Sequence, residues 1–120
     1  MLKRILVLDN DPAILDVLKE ALSYESFDVK ITSDYSNLIN EVRLYHPDLV
    51  ICDYNSHGPK GDEICVQLKR NTSLTGIPVI ICSAYINKNE KPGCDCDAFI
   101  AKPFGLMELM EKVNGLVYCD

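Results

Sequence analysis

No apolar stretch in this chain approaches the roughly 20 residues that a membrane-crossing helix needs, so no membrane span is expected. The amino terminus also lacks a secretory pattern. Lys3 and Arg4 precede only the short run Ile5 to Leu8, which acidic Asp9 ends at once. The expected compartment is the cytoplasm. Positive charge is in short supply as well. Lys and Arg number 12 against 18 Asp and Glu, for a net charge of −6 and a pI of about 4.8. Such a balance argues against direct nucleic-acid binding by this domain, which would need basic residues to neutralise phosphates. A separate DNA-binding output domain or partner is not excluded by it. There is no Walker loop, G-x-S-x-G elbow or Cys/His pair. Repeats, low-complexity runs and linkers are also missing, so residues 1–120 read as one domain of ordinary size.

Cysteine, by contrast, is plentiful, at six residues. Without an export signal a disulfide scaffold is not expected. Cys52 and Cys82 lie inside apolar runs and read as small core residues. Cys94 and Cys96 form an isolated C-x-C with no further ligands to complete a zinc site.

Short β-rich runs alternate with stretches of helical spacing. Ile5 to Leu8, Leu49 to Cys52 and Pro78 to Cys82 are continuous apolar runs, the pattern of strands buried on both faces. Phe27, Val29 and Ile31 alternate with polar residues, which suggests a strand nearer a sheet edge. Ala98 to Ala101 makes a short fifth strand. Asp11-Pro12 opens a helix carrying Ile14, Val17, Leu18 and Ala21. Asp34 or Ser36 caps a second with Leu38, Ile39, Val42 and Tyr45, ended by His46-Pro47. A third runs from about Asp62 to Arg70, and the last carries Leu106, Leu109, Met110, Val113, Leu116 and Val117. These βαβ units imply an α/β fold, a doubly wound parallel sheet with helices on both faces.

The functional crevice of such a sheet lies beyond the carboxyl ends of its strands. Asp9-Asn10-Asp11, Asp53, Ser83 and Lys102 stand at those ends. Clustered carboxylates call for a cation, and Mg²⁺ suits one or two of them together with water and phosphate oxygens. A carboxylate there can also act as a nucleophile toward phosphorus. Lysine and a hydroxyl can then stabilise the transferred group.

Four motifs, in order, resemble the response-regulator receiver domains of two-component signalling. They are Ile5 to Pro12, Cys52-Asp53 followed by Gly61, Val79 to Ala84, and Lys102-Pro103-Phe104. The resemblance covers essentially the whole chain. It implies a flavodoxin-like five-stranded sheet of order 2-1-3-4-5. It implies Asp53 as phosphoacceptor, served by a sensor histidine kinase or a histidine phosphotransfer protein. Asp9, Asn10, Asp53 and the backbone carbonyl of Asn55 match the Mg²⁺ ligands. Ser83 and Lys102 match the phosphoryl-binding pair, and Phe99 matches the aromatic switch coupled to Ser83. Asn55 and Tyr85 fall where side chains tune autodephosphorylation. Output would pass through a homodimer, another partner or a fused output domain.

Two positions depart from the family pattern. Asn10 replaces an acidic metal ligand with an uncharged amide, so Mg²⁺ is expected to bind weakly. Between Ser83 and Lys102, the stretch Asn87 to Gly93 lacks an apolar stripe and is rich in Asn, Pro and Gly. The fourth helix is therefore expected to be short or irregular. A pseudo-receiver that works without phosphorylation is the alternative that Asn10 leaves open. An enzyme or flavin carrier on the same fold is a third, and the carboxylate cluster disfavours a flavin site.

Overall fold

The three continuous apolar runs form neighbouring strands at the centre of one sheet. They are β1 (Arg4–Leu8), β3 (Leu49–Asp53) and β4 (Val79–Ser83). The computed structural model describes residues 2–53, 61–71, 74, 76–83, 97–102 and 104–118. Strands β2 (Asp28–Thr32) and β5 (Ala98–Ala101) form the two edges, and every pairing is parallel in the order β2-β1-β3-β4-β5. The edge strands are only partly covered, as the alternation in β2 foretells.

Alternation along the strands divides the core into two layers. Ile5, Val7, Leu49, Ile51, Ile80 and Ile100 face helices α1 (Pro12–Tyr24) and α4 (Leu106–Val117). Leu6, Leu8, Val50, Cys52, Val79 and Ile81 face the opposite way, toward α2 (Leu38–Tyr45) and α3 (Gly61–Arg70). Cys82 belongs to the first layer and Cys52 to the second, so the two buried thiols lie on opposite faces. Burial pushes the Cys82 thiol up to about 12, and it behaves as a small apolar residue.

Helix α1 starts as expected, with Asp11 Oδ1 accepting from Ala13 N at 3.0 Å and Pro12 in the first turn. Its buried face is Leu15, Leu18 and Leu22, whereas Val17 is exposed. The expected stripe of Ile14, Val17, Leu18 and Ala21 was rotated slightly from this one. Helical spacing admitted both, and docking on the sheet selects the larger leucines. The helix ends in a Schellman closure, with Phe27 N donating to Leu22 O and Ser26 N to Ser23 O. Ser26 takes the left-handed conformation there at φ 69°.

Between β2 and α2 the chain makes a 3₁₀ turn, Tyr35–Asn37, where the capping residues alone predict the start of the helix. Asp34 caps this turn through Ser36 N, so α2 itself begins only at Leu38. His46 closes α2 in the left-handed region, at φ 55°. On α4, Leu109, Val113 and Val117 are buried as expected, but Leu106 is largely exposed. The helix expected between β4 and β5 falls on residues 84–96, outside the described residues. Cys94 and Cys96 lie there too.

Candidate functional site

The registers bring the strand ends level. Leu8 pairs with Cys52, Asp53 with Cys82, and Ser83 with Ala101. Asp9, Asp53, Ser83 and Lys102 therefore emerge along one edge, with Asp9 and Asp53 flanking the β1/β3 position where the strand order reverses. Open α/β sheets leave their binding crevice there.

Lys102 joins the two carboxylates. Its Nζ lies 2.7 Å from Asp53 Oδ1 and 3.1 Å from Asp9 Oδ2. A backbone bond from Lys102 N to Ser83 O, at 2.8 Å, carries the β4–β5 ladder to this residue. Asp9 is 3% exposed, and its other oxygen accepts from Asp11 N at 2.9 Å, which fixes the carboxylate in a local turn. Two negative charges thus share one positive charge in a half-buried cleft. Burial pushes the Asp53 carboxyl above the usual carboxylate range; the Lys102 hydrogen bond opposes that, and Asp9 reinforces it. Burial acts to lower the Lys102 ammonium, but its bonds to Asp53 and Asp9 prevail and hold it up. The Asp53 rise comes mainly from burial and the Lys102 rise from its two acidic partners. With two carboxylates on one ammonium, the cluster is short of positive charge among the described residues.

That shortage fits a divalent cation. Asp9 and Asp53 are hard oxygen donors on neighbouring strand ends, the donor type and number that Mg²⁺ uses alongside water. Among the described residues no group of three His, Cys, Asp or Glu side chains is assembled for a metal. The Asn55 carbonyl, implied as a further ligand, lies outside the described residues, as does the side chain of Tyr85. Asn10 is exposed beside Asp9. Asp11 is exposed too, and its carboxylate serves Ala13 N as helix cap.

Ser83 is buried at the end of β4. Phe99 pairs in register with Ile81 and packs partly buried against the α2/α3 core layer. Strand alternation puts Ser83 and Phe99 on the same sheet face, opposite to that of Asp53 and Lys102.

Tyr35 is a further neighbour of the site, one that no sequence motif singles out. Tyr35 donates its hydroxyl to the backbone carbonyl of Asp53 at 3.2 Å. Burial, with Cys52, Asp53 and Asp9 nearby, raises its ionisation well above the ordinary tyrosine value. The available signal was its place just past the end of β2, at the same sheet edge as the acids.

The family model of the response regulator receiver domain matches residues 5–114. The chain is 32% identical over 117 residues to the DNA-binding response regulator MtrA of Mycolicibacterium smegmatis, covering 95% of this chain and 50% of that protein. It spans about half the length of the curated relatives it matches. It superposes on a response regulator from Desulfuromonas acetoxidans with a TM-score of 0.84 at 26% identity, covering 97% of both chains. A CheY-like response regulator receiver domain protein from Methanospirillum hungatei gives a TM-score of 0.85 at 26% identity, over 98% of this chain and 95% of that one. No described helix is long and apolar enough to cross a membrane.

Proposed function

The chain belongs to the response regulator receiver domain family, and on that premise we propose that it is a phosphoacceptor switch working through Asp53. The observation that carries this reading is the 2.7 Å contact between Lys102 and Asp53, shared with Asp9, at the mouth of the sheet. Among the described residues this cluster sets two carboxylates against one ammonium, an arrangement that a further cation would complete.

In the proposed reaction an Asp53 carboxylate oxygen attacks the phosphorus of a phosphohistidine on a sensor kinase or phosphotransfer protein. An O–P bond forms, the P–N bond breaks, and imidazole leaves with its electron pair and takes up a proton. Lys102 is within reach of a phosphoryl oxygen on Asp53, and the Ser83 hydroxyl stands at the adjacent strand end. Mg²⁺, held by Asp9, Asp53, Asn10 and the Asn55 carbonyl, would supply further positive charge to the phosphoryl oxygens, weakly because Asn10 is uncharged. Phe99 and Ser83, on one sheet face, would pass the change outward. Asn55 and Tyr85 would set the rate of autodephosphorylation. We place this activity in the cytoplasm, with output through a partner protein, a second copy or a fused output domain.

Incubation with acetyl phosphate and Mg²⁺, followed by intact-mass and peptide mass spectrometry, tests the reading. A labile adduct on Asp53 is expected, absent from Asp53→Asn. An unmodified wild type would leave the phosphorylation-independent module as the better description.

A further inference from the structure

The turn that follows β2 is built more firmly than a simple connection requires. Thr32 O accepts from Asp9 N at 3.2 Å, and Thr32 Oγ1 accepts from Asp34 N at 3.1 Å. Asp34 Oδ1 then accepts from both Ser36 N, at 3.0 Å, and Ser36 Oγ, at 2.6 Å. These bonds tie the turn to the end of β1 and hold Tyr35 between its fixed neighbours. The Tyr35 ring packs against the core layer that contains Leu8, Leu38 and Cys52. From there its hydroxyl reaches the carbonyl of Asp53, which also accepts from Cys52 Sγ at 3.5 Å. Two side-chain donors thus meet the peptide through which β3 leaves the sheet.

We infer that Tyr35 is a positioning residue, whose bond to the Asp53 carbonyl aims the Asp53 carboxylate at an incoming phosphoryl group. The inference rests on Asp53 being the phosphoacceptor. The bond goes to the backbone, so it restrains the residue while leaving both carboxylate oxygens to Lys102 and the reaction. A tyrosine phenol is protonated, hence a donor, throughout the neutral range. Nucleophile alignment is sensitive to small displacements, and an error of about 1 Å can cost on the order of a hundredfold in rate. Loss of a single neutral hydrogen bond should allow less movement than that.

The test compares Tyr35→Phe with Tyr45→Phe, each phosphorylated by acetyl phosphate over a range of donor and Mg²⁺ concentrations. Tyr45 makes the same kind of bond, hydroxyl to backbone carbonyl of Asp28 at 2.9 Å, near the opposite ends of the strands. Tyr35→Phe is expected to lower the saturating rate about fivefold while the half-saturating concentrations stay put, and Tyr45→Phe to match wild type. Equal slowing of both variants would assign the effect to general stability and overturn the inference. A wild-type rate in Tyr35→Phe would overturn it as well. If wild type itself acquires no phosphate, the phosphoacceptor reading fails first and takes this inference with it.

Discussion

Lys102, following the edge strand β5, crosses the end of β4 to place its Nζ 2.7 Å from Oδ1 of Asp53. Both side chains are mostly covered, at 17% and 12% exposure, so water compensates neither charge well. The same ammonium also serves Asp9. Removing it leaves two adjacent carboxylates without a cationic partner among the described residues.

Lys102→Ala should therefore destabilise the metal-free protein by about 2 kcal/mol, less than the roughly 3–5 kcal/mol for breaking a fully buried pair. Mg²⁺ should restore more stability to the variant than to wild type, because a cation would then relieve the greater repulsion. Thermal melts in EDTA and in excess Mg²⁺ measure both quantities. Equal stabilisation of the two proteins by Mg²⁺ would separate Lys102 from the metal site.

Much of this arrangement was legible in the sequence because it follows from burial. Strands covered on both faces must be apolar throughout, so Ile5 to Leu8, Leu49 to Cys52 and Pro78 to Cys82 declared both their type and their central place. The acids and the serine stood out because polar groups ended those runs, and Lys102 because it ends the short strand Ala98–Ala101. Tyr35 was not legible in the same way. Its partner is a backbone carbonyl, which carries no side-chain signature, and the contact depends on a turn whose two capping candidates, Asp34 and Ser36, bond to one another. The orientation of α1 was also hidden, since Val17 and Leu15 satisfy similar periodicities and only contact with the sheet distinguishes them.

Ser26 offers a test of local backbone energetics away from the site. It occupies the left-handed position of the α1 closure at φ 69°, where a Cβ is unfavourable and glycine is preferred. Ser26→Gly should stabilise the fold by about 0.5–1 kcal/mol, after allowing for glycine's greater freedom in the unfolded chain. Urea unfolding at neutral pH would register the shift in midpoint. A loss of stability would mean that the serine side chain contributes more than its backbone strain costs.

Tyr45 predicts a pH dependence at the other end of the sheet. Burial, together with Asp28, raises its hydroxyl from the usual 10.0 to about 12. The folded protein therefore holds this proton more tightly than the unfolded chain does. Its contribution is fully present below about pH 10 and is lost as pH rises toward 12. Tyr45→Phe should be less stable than wild type at pH 8, having lost the bond to Asp28 O, and the gap should narrow between pH 10 and 12. Paired urea titrations at pH 8 and 11 check the sign. A widening gap would contradict it.

Asn10 brings the sequence and the geometry to one measurable quantity. The family pattern has a carboxylate at this position, and the next residue, Asp11, is an acid that could replace the missing charge. Asp11 is instead committed as helix cap, accepting from Ala13 N at 3.0 Å in an exposed position. The cation would then meet Asp9 and Asp53 as its only charged ligands among the described residues, with Lys102 competing for both. Asn10→Asp adds the missing charge and should tighten Mg²⁺ binding by about 1–2 kcal/mol, the size of one charge-assisted contact in a partly solvated cleft. It should also destabilise the metal-free protein slightly, because a third carboxylate joins a cluster already short of positive charge. Mg²⁺ titrations of both proteins by calorimetry, with melts in EDTA alongside, measure the two effects. Tighter metal binding without the loss in EDTA would place the new carboxylate toward solvent in the empty site. Unchanged affinity would show that position 10 does not reach the metal at all.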